Sequence, residues 1–206
     1  MDEIDIFIGH NFVLTVHEGN PFVNELFREC TQFVDKQNEF TAKGGGSFLY
    51  KFLNEIFTNM VDLVDERFEM ADRLEEQMFD NPGKQDMLNS ILSFRKDIIT
   101  LRRIVQPQRL VIPQLQHKSQ KFLPQNLEVY FEDIVDKVER VWNQLESLVA
   151  LGHSLERTNE SLISHNINNV MKVLTVFSVL VLPLTLVASL YGMNVQLPFG
   201  GHPMAF

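Results

Sequence analysis

Every Asp, Glu, Lys and Arg of this chain lies at or before Lys172, and none occurs from Val173 to Phe206. Within that charge-free stretch Val173 to Leu190 is an unbroken, mainly apolar run. Extended by Tyr191 and a polar shoulder before it, the run crosses roughly 30 Å of hydrocarbon as a helix. Lipid offers no partners to open backbone, so a lone span of this kind is helical. Arg140, Arg157 and Lys172 precede the run and no cation follows it, which places the large amino-terminal part in the cytoplasm.

The span is not evenly apolar. Thr175, Ser178, Thr185 and Ser189 fall on a three- and four-residue rhythm with Met171, Leu182 and Gly192, while Val173, Phe177, Leu180, Leu184 and Val187 take the opposite faces. A stripe of small and hydroxyl-bearing residues turns toward other helices or toward water. Spacing alone admits both close helix packing and a pore wall.

Three blocks carry a resemblance. They are Asn168-Asn169-Val170-Met171-Lys172-Val173-Leu174-Thr175, then Leu182-Pro183-Leu184-Thr185-Leu186, then Tyr191-Gly192-Met193-Asn194. Gly-Met-Asn alone is a weak tripeptide, but the blocks in this order and spacing resemble the first transmembrane helix of the CorA-type magnesium transporters. The similarity continues more loosely upstream through Tyr130-Phe131-Glu132-Asp133 and the Leu101-Arg102-Arg103 region to the first hairpin.

The resemblance implies a fold that is mostly α, with a small β-hairpin remnant of an α/β cytoplasmic domain, a helical hairpin, and one very long stalk helix running into the membrane. It also implies a fragment: part of the cytoplasmic domain over 1–124, a stalk over 125–169, a first membrane helix over 170–191, and the Gly-Met-Asn motif and outer loop over 192–206, with a second membrane helix absent. By resemblance the protein is one subunit of a homopentamer in the cell (inner) membrane that passes Mg2+ into the cytoplasm. Gly192, Met193 and Asn194 would form the selective entrance. Asn168, Met171, Leu174, Thr175, Ser178, Leu182, Thr185 and Ser189 would line the path. Asp133, and less directly Asp136, would hold a regulatory Mg2+ between cytoplasmic domains. The loop from Val195 to His202 lacks the carboxylate that many family members carry after Gly-Met-Asn, which leaves Co2+ or Ni2+ as alternative cargo.

Magnesium gives up water reluctantly, so a protein selects it best by accepting hydrogen bonds from its hydration shell, and the ring of Asn194 carbonyls that the resemblance implies would do that. Without the flanking blocks, Asn194 reads as a helix C-terminal cap. Apolar rings from Met171, Leu174 and Leu182 would narrow and dewet such a path. A net charge of -9 argues against nucleic acid. Cys30 is the only cysteine, so no disulfide or thiolate cage forms, and the histidines show no i, i+4 pair. No nucleophile–base pair or phosphate loop indicates an enzyme. The contrasting reading is a membrane-anchored coiled-coil scaffold.

In chain order, Ile4 to His17 predicts a hairpin through the Gly9-His10-Asn11 turn. Pro21 opens a helix to about residue 39, capped by Asn20, with Phe22, Leu26, Phe33 and Val34 available for burial. Lys43-Gly44-Gly45-Gly46-Ser47 leads a helix over 47–79, which Asp80-Asn81-Pro82-Gly83 breaks. The next helix is expected over 84–105, with Leu88, Ile91, Leu92, Ile98, Leu101 and Val105 on one side, stopped by Pro107 and Pro113. The acidic groups Asp62/Asp65/Glu66 and Glu69/Asp72/Glu75/Glu76 read as a solvated face, with a metal site as the alternative. After Pro124, Leu127, Phe131, Ile134, Val138, Val141, Leu145 and Leu148 alternate by four and three, continued by Gly152, Leu155, Asn159 and Leu162. A 3.5-residue period predicts a coiled-coil seam and neighbours to fill it.

Overall fold

Two strands and five helices follow in chain order: β1 (Ile4–Ile8), β2 (Val13–His17), α1 (Pro21–Gln32), α2 (Val34–Thr41), α3 (Gly45–Asp80), α4 (Gln85–Ser119) and α5 (Glu128–Tyr191). The computed structural model describes residues 3–9, 12–41, 44–80, 85–119 and 128–192. The turn residues His10 and Asn11, the 81–84 break, Pro124 and Leu127 lie outside the described residues.

β1 and β2 pair antiparallel with Ile4 opposite His17 and Ile8 opposite Val13. That register puts Ile4 and Ile6 on the face that packs against Val23, Leu26, Phe40 and Phe52, and leaves Phe7, Leu14 and Val16 exposed on the other. Asn20 caps α1 as expected, its side chain accepting from the Val23 amide at 3.1 Å with Pro21 in the first turn.

The single helix expected over 21–39 is instead two. Phe33 adopts extended φ/ψ, and Phe33 and Val34 are both exposed. The break lets α2 fold back so that Phe40 is buried, with its ring edge-on to Phe48 at 5.8 Å. Burying one large aromatic outweighs the propagation of one more turn. Gly44, at φ +86°, supplies the left-handed residue that redirects the chain into α3.

The core is a three-helix layer. α4 runs antiparallel to α5, through the ion pairs Arg95–Glu156, Arg102–Glu146 and Arg109–Glu139. α3 runs parallel to α5, through Tyr50 on Tyr130, Lys137 Nζ on Asn54, and Gln144 Nε2 donating to Asp65 at 2.9 Å. Phe131, Ile134, Val138, Val141, Leu145, Leu148 and Leu155 are all buried in the cluster these helices share. α4 packs tightly over Gly152, where a Cβ would sit 3.0 Å from the Arg95 Cγ.

The heptad seam of α5 does have neighbours to fill it, and from Phe131 to Leu155 they are α3 and α4 of the same chain. A 3.5-residue period specifies a left-handed seam and is silent about whose side chains fill it. The expected stop at 105 needs correction: α4 passes through Pro107 and Pro113 to Ser119. An internal proline forfeits a hydrogen bond and costs about 3 kcal/mol, so tertiary contacts must hold this half in place. Ile112 is buried, Arg109 makes a two-pronged bond to Glu139 at 2.8 Å, and the Trp142 ring lies between Arg102 and Arg109 at 5.1 and 4.7 Å. Within α4 the buried seam is Met87, Ile91, Phe94, Ile98 and Val105, while Leu88 and Leu92 are 44% and 45% exposed.

Candidate functional site

The α5 helix is 64 residues and therefore on the order of 95 Å long. Its packed part ends near Asn159 and Leu162, and from Ile163 to Tyr191 almost every side chain is exposed. Among the described residues this is one helix long and apolar enough to cross a membrane; its most apolar 18-residue window has a mean hydropathy of 2.4 and is 0% buried. A bare apolar helix of that length is stable only in lipid, against other helices, or both.

Because α5 is continuous to Tyr191, position around it follows from residue number. Asn168, Met171, Leu174, Thr175, Ser178, Leu182, Thr185 and Ser189 fall within about 120° of arc. The seam that α3 and α4 cover, followed to Leu155, Asn159 and Leu162, lies roughly 150° away around the same helix. The stripe is therefore on the side that the chain's own helices leave free. Val173, Phe177, Leu180 and Leu184 continue the line of that seam past Leu162, opposite the stripe, and are exposed.

Three hydroxyls of the stripe have settled hydrogen bonds. Thr175 Oγ1 donates to the Met171 carbonyl at 2.8 Å, Ser178 Oγ to the Leu174 carbonyl at 2.9 Å, and Thr185 Oγ1 to the Val181 carbonyl at 2.9 Å. With the proton committed to the backbone, each oxygen presents only acceptor lone pairs outward. Pro183 lies inside the helix and removes the donor that would meet the Val179 carbonyl. The Thr185 hydroxyl does not take up that carbonyl, since it is bonded to Val181. At the end of the helix the Gly192 amide still donates to the Ala188 carbonyl at 2.9 Å. Met193 and Asn194 lie outside the described residues.

The two carboxylates singled out for regulation sit at the other end of α5. Asp133 is 52% exposed and pairs with Lys137 at 3.2 Å, while Lys137 also reaches Asn54 on α3. Burial, then the neighbouring Asp133 carboxylate and Tyr130, hold the Tyr50 phenol above its ordinary pKa. Asp136 is exposed nearly one turn on. Among the described residues no group of three or more His, Cys, Asp or Glu converges on a metal position, and the acidic residues of α3 are spread along its outer face. The sequence reading missed the Arg102–Trp142–Arg109 stack, whose signal was the seven-residue spacing of Arg95, Arg102 and Arg109.

Comparison with known proteins adds the following. The family described as CorA-like Mg2+ transporter protein matches residues 1–206. The "Cobalt/magnesium transport protein CorA" of Thermotoga maritima is 24% identical over 195 residues, covering 95% of this chain and 55% of that protein. The "Zinc transport protein ZntB" of Photorhabdus laumondii is 25% identical over 173 residues, covering 82% of this chain and 50% of that protein. The solved structure of the complete CorA magnesium transporter from Methanocaldococcus jannaschii superposes with a TM-score of 0.81 at 22% identity, over 96% of this chain and 62% of that one. The chain thus spans about half the length of the relatives it matches.

Proposed function

Because the chain belongs to the CorA-like Mg2+ transporter family, we propose that it is part of a subunit of a homopentameric channel that carries Mg2+ into the cytoplasm, with Co2+ or Ni2+ as alternative cargo. The observation that carries this reading is the acceptor-only hydroxyl stripe on the free side of α5. A hydrated divalent cation shows only water hydrogens to its surroundings, and Mg2+ keeps that shell. A wall of Thr175, Ser178 and Thr185 oxygens accepts from those waters without stripping them. Leu174 and Leu182, exposed on the same stripe, form apolar girdles that dewet when the helices close.

Copies arranged about an axis facing the stripe place α3 and α4 outside, where they brace each α5 against its neighbours. Asn194 carbonyls stand at the outer mouth and Asn168 near the cytoplasmic end. A scaffold would use α5 as a coiled coil, but the seam from Phe131 to Leu155 is already filled from within the chain. The direct test is metal uptake by the complete gene product in liposomes, followed with an ion-sensitive dye inside. Entry of Mg2+ driven by its gradient alone supports the reading, and vesicles that stay impermeable to Mg2+, Co2+ and Ni2+ refute it.

In the same account Asp133 is one half of a regulatory Mg2+ site completed by another subunit, and cation binding there displaces Lys137. Asp133→Ala removes an exposed pair worth only about 0.3–0.5 kcal/mol to the fold. The expected result is a folded protein whose current persists at internal Mg2+ that closes the wild type, with Asp136→Ala shifting the inhibition less. An unchanged inhibition curve for Asp133→Ala removes it from gating.

A further inference from the structure

α4 carries a second stripe that stays exposed along the helix. Leu88, Leu92, Lys96, Ile99, Arg103 and Leu110 repeat by three, four and seven and lie within about 80° of arc, on the side of α4 away from α3, with Ile99 at the edge beside Val149 and His153 of α5. All six are exposed, Leu110 by 69%. An apolar row at coiled-coil spacing interrupted by cations is the pattern of a helix face that packs on a partner carrying anions. The outer face of α3 has those anions: Asp62, Glu66, Glu69, Asp72 and Glu76 are exposed along it.

We infer that the outer face of α4 docks against the outer face of α3 in the next copy of this chain, closing a head-to-tail ring of α3–α4 pairs around the α5 helices. This rests on the oligomeric reading above and names the interface within it. The geometry supports the match in height as well as in charge. Asp65 on α3 meets Gln144 on α5, and Arg102 on α4 meets Glu146, so residues near 66 on α3 and near 103 on α4 stand at one level along α5. Rotation about an axis parallel to α5 preserves that level. It brings Arg103 beside Glu66 of the partner subunit, Ile99 beside Glu69 of the partner subunit, and Lys96 beside Asp72 of the partner subunit. A heterologous contact of this kind closes into a ring when the rotation divides a full turn.

The test uses the complete gene product with its native cysteines replaced by Ser, Cys30→Ser among them. Glu69→Cys and Ile99→Cys are carried on separately tagged copies, co-expressed in membranes and oxidised. The expected result is a covalent dimer bearing both tags, absent when either variant is expressed alone. Arg103→Glu should lower its yield roughly tenfold by facing like charges, and Glu66→Arg added to it should restore the yield. An oligomer that stays intact by native mass measurement without the mixed dimer overturns this interface and leaves the transport reading standing. Dimers that form equally in the single-variant controls overturn it as well. A protein that is monomeric in the membrane overturns both.

Discussion

Replacing Asn194 by Ala in the proposed channel is expected to abolish Mg2+ uptake while the protein still reaches the membrane at wild-type abundance. In sequence Asn194 comes two residues after Gly192, whose amide still closes a bond to Ala188. In the proposed channel its amide carbonyl accepts from the water shell of an incoming cation. A hydrogen bond to a charged partner contributes about 1.5–3 kcal/mol. Losing one per subunit around a ring lowers ion occupancy by well over the tenfold that each 1.4 kcal/mol represents. Asn194→Asp keeps an acceptor and adds charge, so it should retain capture but lose discrimination among cations. Growth of cells lacking other Mg2+ uptake reads all three proteins. Equal rescue by wild type and Asn194→Ala takes the side chain out of the mechanism.

The second large effect is on stability. Leu145 is 0% exposed in the middle of the α5 seam, in the cluster that α3 and α4 share. Leu145→Ala removes its packing and leaves a cavity, with an expected cost of about 2–5 kcal/mol. Ser154→Ala, on an exposed position of the same helix, should stay within about 0.5 kcal/mol. Trp142 reports the change, because its ring is held between Arg102 and Arg109 and is freed when α4 leaves α5. Urea titration followed by Trp142 fluorescence should show a large drop in midpoint for Leu145→Ala only. Coincident curves would mean that the seam does not hold the bundle together.

Much of this architecture was legible in the residues, and its failures have physical causes. The period of α5 named the positions that are buried between Phe131 and Asn159, because a long helix with one packed side must repeat. The same periodicity could not say that α3 and α4 fill that seam, since apolar complementarity carries no chain label. On α4 two apolar stripes compete; periodicity does not separate Leu88 and Leu92, which are exposed, from Met87 and Phe94, which face inward. Local rules also stopped α4 at Pro107, where Arg109, Ile112 and Trp142 supply tertiary contacts that no local rule contains. Phe33 looked like a core residue in a continuous helix, and the break there serves to bury Phe40. The stripe around Thr175 and Thr185 was readable from spacing, but the commitment of each hydroxyl proton to the backbone required atomic positions.

The central claim is that this hydroxyl-bearing side of α5 faces water within the membrane. Cysteine substitution along the span tests it most directly, using the complete gene product with its native cysteines replaced by Ser, Cys30→Ser among them, and a charged thiol reagent added during conduction. Cysteines at Thr175, Ser178, Thr185 and Ser189 should react and block uptake, while those at Val173, Phe177, Leu180 and Leu184 stay protected. Labelling of the second group with silence of the first would place the stripe against protein or lipid and contradict the account.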